Sequence, residues 1–363
     1  MTVSTPNREF WNGKRVMLTG HTGFKGGWLA IWLENMGAQV IGISLAPETT
    51  PNIFSLAKIK DRCESYFCDV RDDVKLTDLM KRAQPEIVFH LAAQPLVRQS
   101  YSEPLNTFST NVIGTANLLN AMRGLSNVKV AVMITTDKVY SNKEWIWPYR
   151  ENDELGGHDP YSASKAASEI IISSYRDSFL ADQGVAVATA RAGNVIGGGD
   201  WSADRLIPDA VRAWNKSHVL EIRRPDATRP WQHVLEPLAG YLVLAQKLHQ
   251  EPSLAGAYNF GPSSTEVASV REVIEIAKAI YGHGKVVYGD GAQGPHEAGR
   301  LALDITKSQH TLGYMPRLTL TESVRKTMTW YLAQHQGADA RLLCESDIIN
   351  YESVASTNQG ATA

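Results

Sequence analysis

The chain predicts an α/β fold, a doubly wound parallel sheet with a smaller C-terminal lobe interleaved with it. Three features of the sequence carry that expectation. Short, nearly continuous apolar runs alternate with helical patterns through the first half, the pattern of strands buried on both faces of a parallel sheet. A glycine-rich turn joins the first run to the first helix. After Gly193 the alternation stops, and proline, tryptophan and arginine gather between Gly197 and Pro237.

Arg15–Thr19 (RVMLT) opens the sheet, and the glycine turn leads into a helix through Met36 that Gly37 terminates. Further strands are expected over 39–45, 66–70, 86–93, 128–136 and 185–192, separated by helices over 72–83, 104–123 and 161–181. Right-handed crossovers between parallel strands then place helices on both faces. Residues 257–260 have strand character and can return to the sheet, while helical patterns resume over 270–280 and 322–333. The expected division is a first domain over 10–193, rejoined by 229–262, and a second lobe from 194–228 and 263–345. The stretch 346–363 is expected to be a flexible tail, because its end is small and polar.

Composition narrows the class. Hydrophobic content of 43% and charged content of 20% are ordinary for a globular chain of 363 residues. A formal net charge of −2, with no basic run, gives no reason to expect a nucleic-acid partner. The three cysteines, Cys63, Cys68 and Cys344, form neither a CxxC pair nor an even framework, which fits a reducing cytoplasm. Cys63 and Cys68 are expected to be buried or incidental. The N-terminus lacks a signal-peptide core, and no apolar run approaches the ~20 residues that span a bilayer. No metal site and no membrane partner are expected.

The turn Thr19-Gly20-His21-Thr22-Gly23-Phe24-Lys25-Gly26 has the form that holds a dinucleotide in a Rossmann-type fold. Gly20 permits the tight turn, Gly23 lets backbone approach a pyrophosphate, and Gly26 allows helix and strand to pack closely. The helix N-terminus adds free N–H groups and a positive dipole end. His21 is bulkier than the small residue usual inside such turns, and either crowds the pyrophosphate or points away. The second strand ends Ser44-Leu45-Ala46, with neither an acid for the ribose hydroxyls nor an arginine for a 2′-phosphate. NAD and NADP therefore both stay open at that position. Asp69-Val70 is placed to reach the adenine edge, although Asp69 serves equally well as a helix N-cap or turn residue.

Tyr161 and Lys165 stand one helical turn apart on the same face. A phenol titrates near ~10, too high for an efficient base at neutral pH, and a nearby ammonium and an oxidised nicotinamide would lower it. Thr136-Asp137-Lys138 ends the fifth strand, on the edge where open α/β sheets bind ligands. Thr136 can donate a hydrogen bond to the alcohol that Tyr161 deprotonates. Asp137, kept protonated by partial burial, can act as a general acid on a departing hydroxyl. Lys138 is either a neutral base, if its pKa is depressed, or a charged group stabilising an enolate.

These features, together with Leu91-Ala92-Ala93, Asn111 and Arg191-Ala192-Gly193-Asn194-Val195, resemble the extended short-chain dehydrogenase/reductase family. Within it, Thr136-Asp137-Lys138, Gly157–Lys165 (GHDPYSASK) and Asn194–Trp201 (NVIGGGDW) are similar to the nucleotide-sugar 4,6-dehydratases that act on CDP-glucose. Most 4,6-dehydratases carry glutamate where Lys138 stands. The resemblance covers roughly residues 10 to 335. It implies an NAD-dependent lyase that oxidises C4, eliminates water across C5 and C6, and reduces C6, in deoxysugar, O-antigen and lipopolysaccharide biosynthesis. It implies cofactor contacts from Gly20 to Gly26, Asp69, Val70, Leu91, Ala92, Ala93, Thr135, Tyr161 and Lys165. Substrate contacts fall on Gln94, Arg98, Asn194, Arg229 and Arg300, the last two as partners for a diphosphate. The choice of cytosine rests wholly on the resemblance. Family members commonly dimerise through the helices near 104–123 and 161–181, so a homodimer is expected. A 4-epimerase is the nearest rival, and it has no use for an acid at the C6 hydroxyl.

Overall fold

Strand β1 (Arg15–Thr19) forms an inner strand of a parallel sheet because its residues can be buried on both sides. In a computed structural model, residues 3–263, 266–291 and 299–359 are described. The sheet adds β2 (Gln39–Ser44), β3 (Glu64–Phe67), β4 (Ile87–His90), β5 (Val130–Ile134), β6 (Ala186–Ala192) and β7 (Ala257–Phe260). All seven run parallel in the order β7-β6-β5-β4-β1-β2-β3. The chain reverses its direction of travel between β1 and β4, so a crevice opens beyond their carboxyl ends.

The period of two along each strand divides the core. Val16, Leu18, Ile87, Phe89, Val130 and Val132 face one layer, which contains α1 (Phe24–Asn35) and the C-terminal lobe. Met17, Ile41, Ile43, Val88, Ala131 and Met133 face the other. That second layer is closed by α2 (Asp73–Ala83), α3 (Gly114–Met122) and part of α4 (Pro160–Tyr175). Helix α1 is buried almost all round, since Trp28 and Trp32 extend away from the sheet and donate to Gly198 O at 2.8 Å and Glu352 Oε1 at 2.7 Å.

Differences from the sequence expectation have local causes. The helix expected over 104–123 is interrupted by a π-turn at Ser109–Ile113, which turns Asn111 inward to donate to Ser164 Oγ on α4 at 2.8 Å. Such single-turn π insertions recur next to functional sites. Helix α4 begins one residue earlier than expected. Pro160 occupies the first turn, and the Asp159 carboxylate caps it by accepting from Ser162 N at 2.9 Å.

Beyond β6 come α5 (Leu206–Asn215), α6 (Leu235–Gln250), α7 (Val270–Tyr281) and α8 (Leu320–His335). Three small pairings stitch this part together: Val195–Ile196 with Gln232–His233, Thr228–Arg229 with Ala268–Ser269, and Val219–Ile222 with Lys285–Tyr288. Helix α6 packs on β5 and β6, and β7 pairs with β6. Where a flexible tail is expected over 346–363, residues 346–359 are helical. Ala340–Gln359 is a helix, α9, whose Cys344, Ile348 and Tyr351 are buried at helical spacing. Tyr351 donates to Glu236 Oε2 on α6 at 2.8 Å. The end of that expected tail, 360–363, lies outside the described residues. Among the described residues no helix is long and apolar enough to cross a membrane.

Candidate active site

The glycine turn stands at the β1 end of the crevice. Gly20 has φ +79°, in the left-handed region, and a Cβ there would meet Ala92 N at 2.8 Å. A Cβ on Gly26 would fall 2.1 Å from Gly20 O, so only glycine lets α1 approach the turn this closely. Gly23 is exposed, and no side chain caps the first turn of α1. Free amides therefore face the crevice above a cradle shaped by missing side chains.

His21 points away from that cradle. Its ring lies over Gly42 in β2, and Nε2 pairs with Ser65 Oγ at 2.6 Å. Burial pushes it down to about 4, so it is neutral at pH 7. Thr22 bonds Ser44 Oγ at 2.8 Å and donates to Leu45 O at 3.0 Å. Asp69 is a turn residue, accepting from Arg71 N at 2.9 Å and pairing with the Arg71 guanidinium; Asp72 is the helix cap. Val70 is buried against Gly114. Leu91, Ala92 and Ala93 follow β4 half-buried, with Leu91 N and Ala92 N donating to Thr19.

Phe24, Lys25, Thr135, Thr136, Asp137, Lys138 and Tyr161 line one cleft of about 460 Å³. Thr136, two residues beyond β5, is extended, and its hydroxyl donates to Asp137 Oδ1 at 2.9 Å. The other carboxylate oxygen, Asp137 Oδ2, is buried with no hydrogen-bond partner among the described residues. Burial pushes this carboxyl up, against the opposing pull of Lys138, the Thr136 hydroxyl and Arg229. A buried acid with a free oxygen in a cleft is a group suited to hold a proton and give it up.

Tyr161 is 9% exposed and hydrogen-bonded to Thr136. Burial raises the phenol to about 12, outweighing the Thr136 hydroxyl and the positive charge of Arg205. The expected lowering by Lys165 is therefore not the dominant influence on the protein by itself. Lys165 is buried one turn along α4, donates to Ile134 O at 3.2 Å, and is pushed down to about 8 by desolvation. Lys25 also faces this end; burial, then the charges of Arg205 and Lys165, push it down to about 7.

The outer cleft is rich in guanidinium groups. Arg98 pairs with Asp204 at 2.6 Å, and Asn194 and the buried Arg229 sit along the same wall. Arg300 is exposed, bridges to Thr228 through its backbone, and is not among the cleft-lining residues. Gln94 does not reach the cleft as expected. Its amide is consumed internally, donating to Thr107 Oγ1 at 2.8 Å and accepting from Leu96 N at 2.5 Å. Thr135 likewise turns its hydroxyl away, donating to Glu169 at 2.5 Å.

Residues not anticipated from the sequence complete the wall. Arg205 lies close enough to Tyr161 to affect it and is held by the buried Asp200 at 2.7 Å, while Glu221, Ile222, Arg223 and Arg224 line the far part. Asp200 stands in the Gly-Gly-Gly-Asp-Trp segment and was visible as part of a motif, but Arg205 follows it with no spacing signal of its own.

Known proteins resemble this chain. Residues 17–327 match the family model described as GDP-mannose 4,6 dehydratase. The chain is 45% identical over 353 residues to CDP-glucose 4,6-dehydratase of Salmonella typhimurium, covering 96% of this chain and 98% of that one. It is 26% identical to dTDP-glucose 4,6-dehydratase of Shigella flexneri, covering 88% and 93%. Among solved structures, a UDP-glucose 4-epimerase from Stenotrophomonas maltophila with bound NAD superposes with a TM-score of 0.76 at 22% identity, covering 90% and 100%. That last likeness speaks for the fold. The family match spans the glycine turn, the Thr136–Lys138 segment, the Tyr161–Lys165 pair and the arginine-lined wall alike, so the chain belongs to the GDP-mannose 4,6 dehydratase family.

Proposed function

We infer that this chain is an NAD-dependent CDP-glucose 4,6-dehydratase, a hydro-lyase giving CDP-4-keto-6-deoxyglucose and water. The observation that carries the reaction type is the buried Asp137 carboxyl, with its unpartnered Oδ2, in the same cleft as Tyr161. Interconverting C4 epimers needs one proton-handling group; losing the C6 hydroxyl needs a second. The choice of CDP-glucose rests on the 45% identity to the Salmonella enzyme of that name.

The glycine cradle fits a dinucleotide: Gly20 and Gly26 have no room for a side chain, while Gly23 and the uncapped amides of α1 face outward. Residues Gly20 to Gly26, Asp69, Val70, Leu91 to Ala93 and Lys165 would hold it. At the end of β2, Ser44 is occupied by Thr22 and no cation stands at Leu45 or Ala46 for a 2′-phosphate, in keeping with NAD. Bound NAD supplies hydride acceptance at C4 and hydride return at C6, ending oxidised.

The protein's own groups do the proton work. Tyr161 takes the C4 hydroxyl proton, with Thr136 bonded to the same oxygen and Lys165 favouring the phenolate. The ketone formed at C4 acidifies C5–H. Lys138, which lines the same cleft, would accept that proton, its ammonium form then stabilising the enolate, and would return the proton to C5 as hydride reaches C6. Asp137 gives its proton to the C6 hydroxyl, which departs as water while the C5–C6 double bond forms. Arg98, Asn194, Arg205 and Arg229 would bind the diphosphate and sugar, and the exposed Arg300 would approach from the flank.

We also propose that 10–193 with 229–262 form the dinucleotide-binding unit and 194–228 with 263–345 the substrate lobe. Leu105, Ile113 and Ile170 are 83%, 51% and 62% exposed on the helices near 104–123 and 161–181, which fits a homodimer interface there. A cytoplasmic location fits a substrate of this kind. Incubation with NAD and, separately, CDP-, dTDP-, UDP- and GDP-glucose tests the assignment by product mass. Loss of one water with CDP-glucose is expected, and preference for another nucleotide would overturn the base assignment.

A further inference from the structure

Behind the Tyr161–Lys165 pair lies a charged group that the mechanism above does not use. Glu169 is one helical turn beyond Lys165 on α4, and its side chain is 4% exposed. Four donors converge on its carboxylate: Thr135 Oγ1 at 2.5 Å, Thr189 Oγ1 at 2.8 Å, and Arg191 Nε and Nη2, each at 2.9 Å. Arg191 is itself fixed. Its Nη1 donates to Tyr140 OH at 2.9 Å and to Glu151 O at 3.0 Å, and Tyr140 OH donates to Asn259 Oδ1 at 2.7 Å.

The cluster thus joins α4, the end of β5, β6, the segment after Lys138 and β7. A buried ion pair is often no more stabilising than well-packed apolar residues, so its stability contribution does not account for its position. That position, one turn from a buried lysine and bonded to the residue preceding Thr136, is specific to the chemistry.

We propose, resting on the dehydratase reading, that Glu169 is a positioning residue: it supplies the buried negative charge against which Lys165 is held and fixes the strand end carrying Thr136 and Asp137. Arg191 keeps the carboxylate rigid, and the bidentate fork sets its plane. Among the described residues, the charged and titratable groups near Lys165 include Tyr161 and Glu169 on its own helix, His90 on β4 and Lys25 on α1, with Arg191 on β6 paired to Glu169 and Asp137 acting on Lys25. His90 is pushed down to about 3 and stays neutral, so Glu169 is the buried anion that favours the ammonium. Desolvation opposes it. Removing Glu169 leaves only the opposing influence, and the lysine loses its proton at lower pH.

The test is the pH dependence of the C4 oxidation step, followed as cofactor reduction in a single turnover of NAD-loaded enzyme with CDP-glucose. Because the ammonium form supports the reaction, Glu169→Gln should move the basic limb to lower pH by about one unit or more. Glu169→Asp keeps the charge and should leave the limb near its wild-type place even if the rate falls. The double variant Glu169→Gln/Arg191→Met removes the buried guanidinium that Glu169→Gln alone would leave without its carboxylate, and carries the same expected shift, covering a single variant that does not fold. A limb that stays in place in a folded Gln variant, with only rate or melting temperature reduced, would reduce Glu169 to a structural role. Wild-type enzyme that oxidises no nucleotide sugar would instead overturn the dehydratase reading, leaving the two failures distinct.

Discussion

Tyr161→Phe is expected to lower kcat by roughly 10²–10⁴-fold, the usual contribution of a positioned proton acceptor. The ring occupies a nearly closed site, so phenylalanine keeps the packing and removes only the oxygen that bonds Thr136. Melting temperature and NAD affinity should stay near wild type, and no reduced cofactor should form on adding CDP-glucose. The phenol lies at about 12 in the protein by itself because burial dominates. The alcohol's proton therefore leaves only as the neighbouring positive charges come into play. A Phe variant that reduces cofactor at the wild-type rate would remove Tyr161 from the base role.

Asp137→Asn separates the two halves of the reaction. The amide has the same shape and can still meet the Thr136 hydroxyl, but it has no acidic proton to give the leaving oxygen. Oxidation at C4 should survive while water loss slows by roughly 10²–10⁴-fold. Reduced cofactor should then accumulate, visible as an absorbance rise that wild-type turnover never sustains. With Lys138 still present, C5–H should exchange with solvent deuterium in the stalled complex. The same assignment fixes a sign with pH. Burial raises the Asp137 carboxyl, so the acid is present below its folded pKa and elimination weakens as pH rises through it. Wild-type dehydration by the Asn variant would show that another group protonates the leaving hydroxyl.

The sheet was legible because β1, β5 and β6 are apolar at nearly every position, which only burial on both faces explains. The glycine turn was legible for a similar reason, as a steric demand at Gly20 and Gly26 leaves no other residue type. That Tyr161 and Asp137 line one cleft was legible because local spacing places them, one on a helix and one just beyond a strand. Gln94 was misplaced because its side chain is turned inward by Thr107, thirteen residues on, and by the Leu96 backbone, while Asn111 in the π-turn holds its backbone N–H. Arg205 and Glu169 escaped notice because each acts through partners distant in sequence or carries no turn or motif of its own. The C-terminal helix was missed although Cys344, Ile348 and Tyr351 repeat at helical spacing, because the small polar residues that follow masked the pattern.

The central claim is that one cleft oxidises C4, expels the C6 hydroxyl and returns the same hydrogen to C6. CDP-glucose carrying deuterium at C4 tests it in a single experiment, with product mass and the position of the label as readouts. The account predicts a product lighter by one water, with deuterium transferred from C4 to C6 and no reductant consumed. A product of unchanged mass with deuterium still at C4 would contradict it and leave an epimerase as the better description.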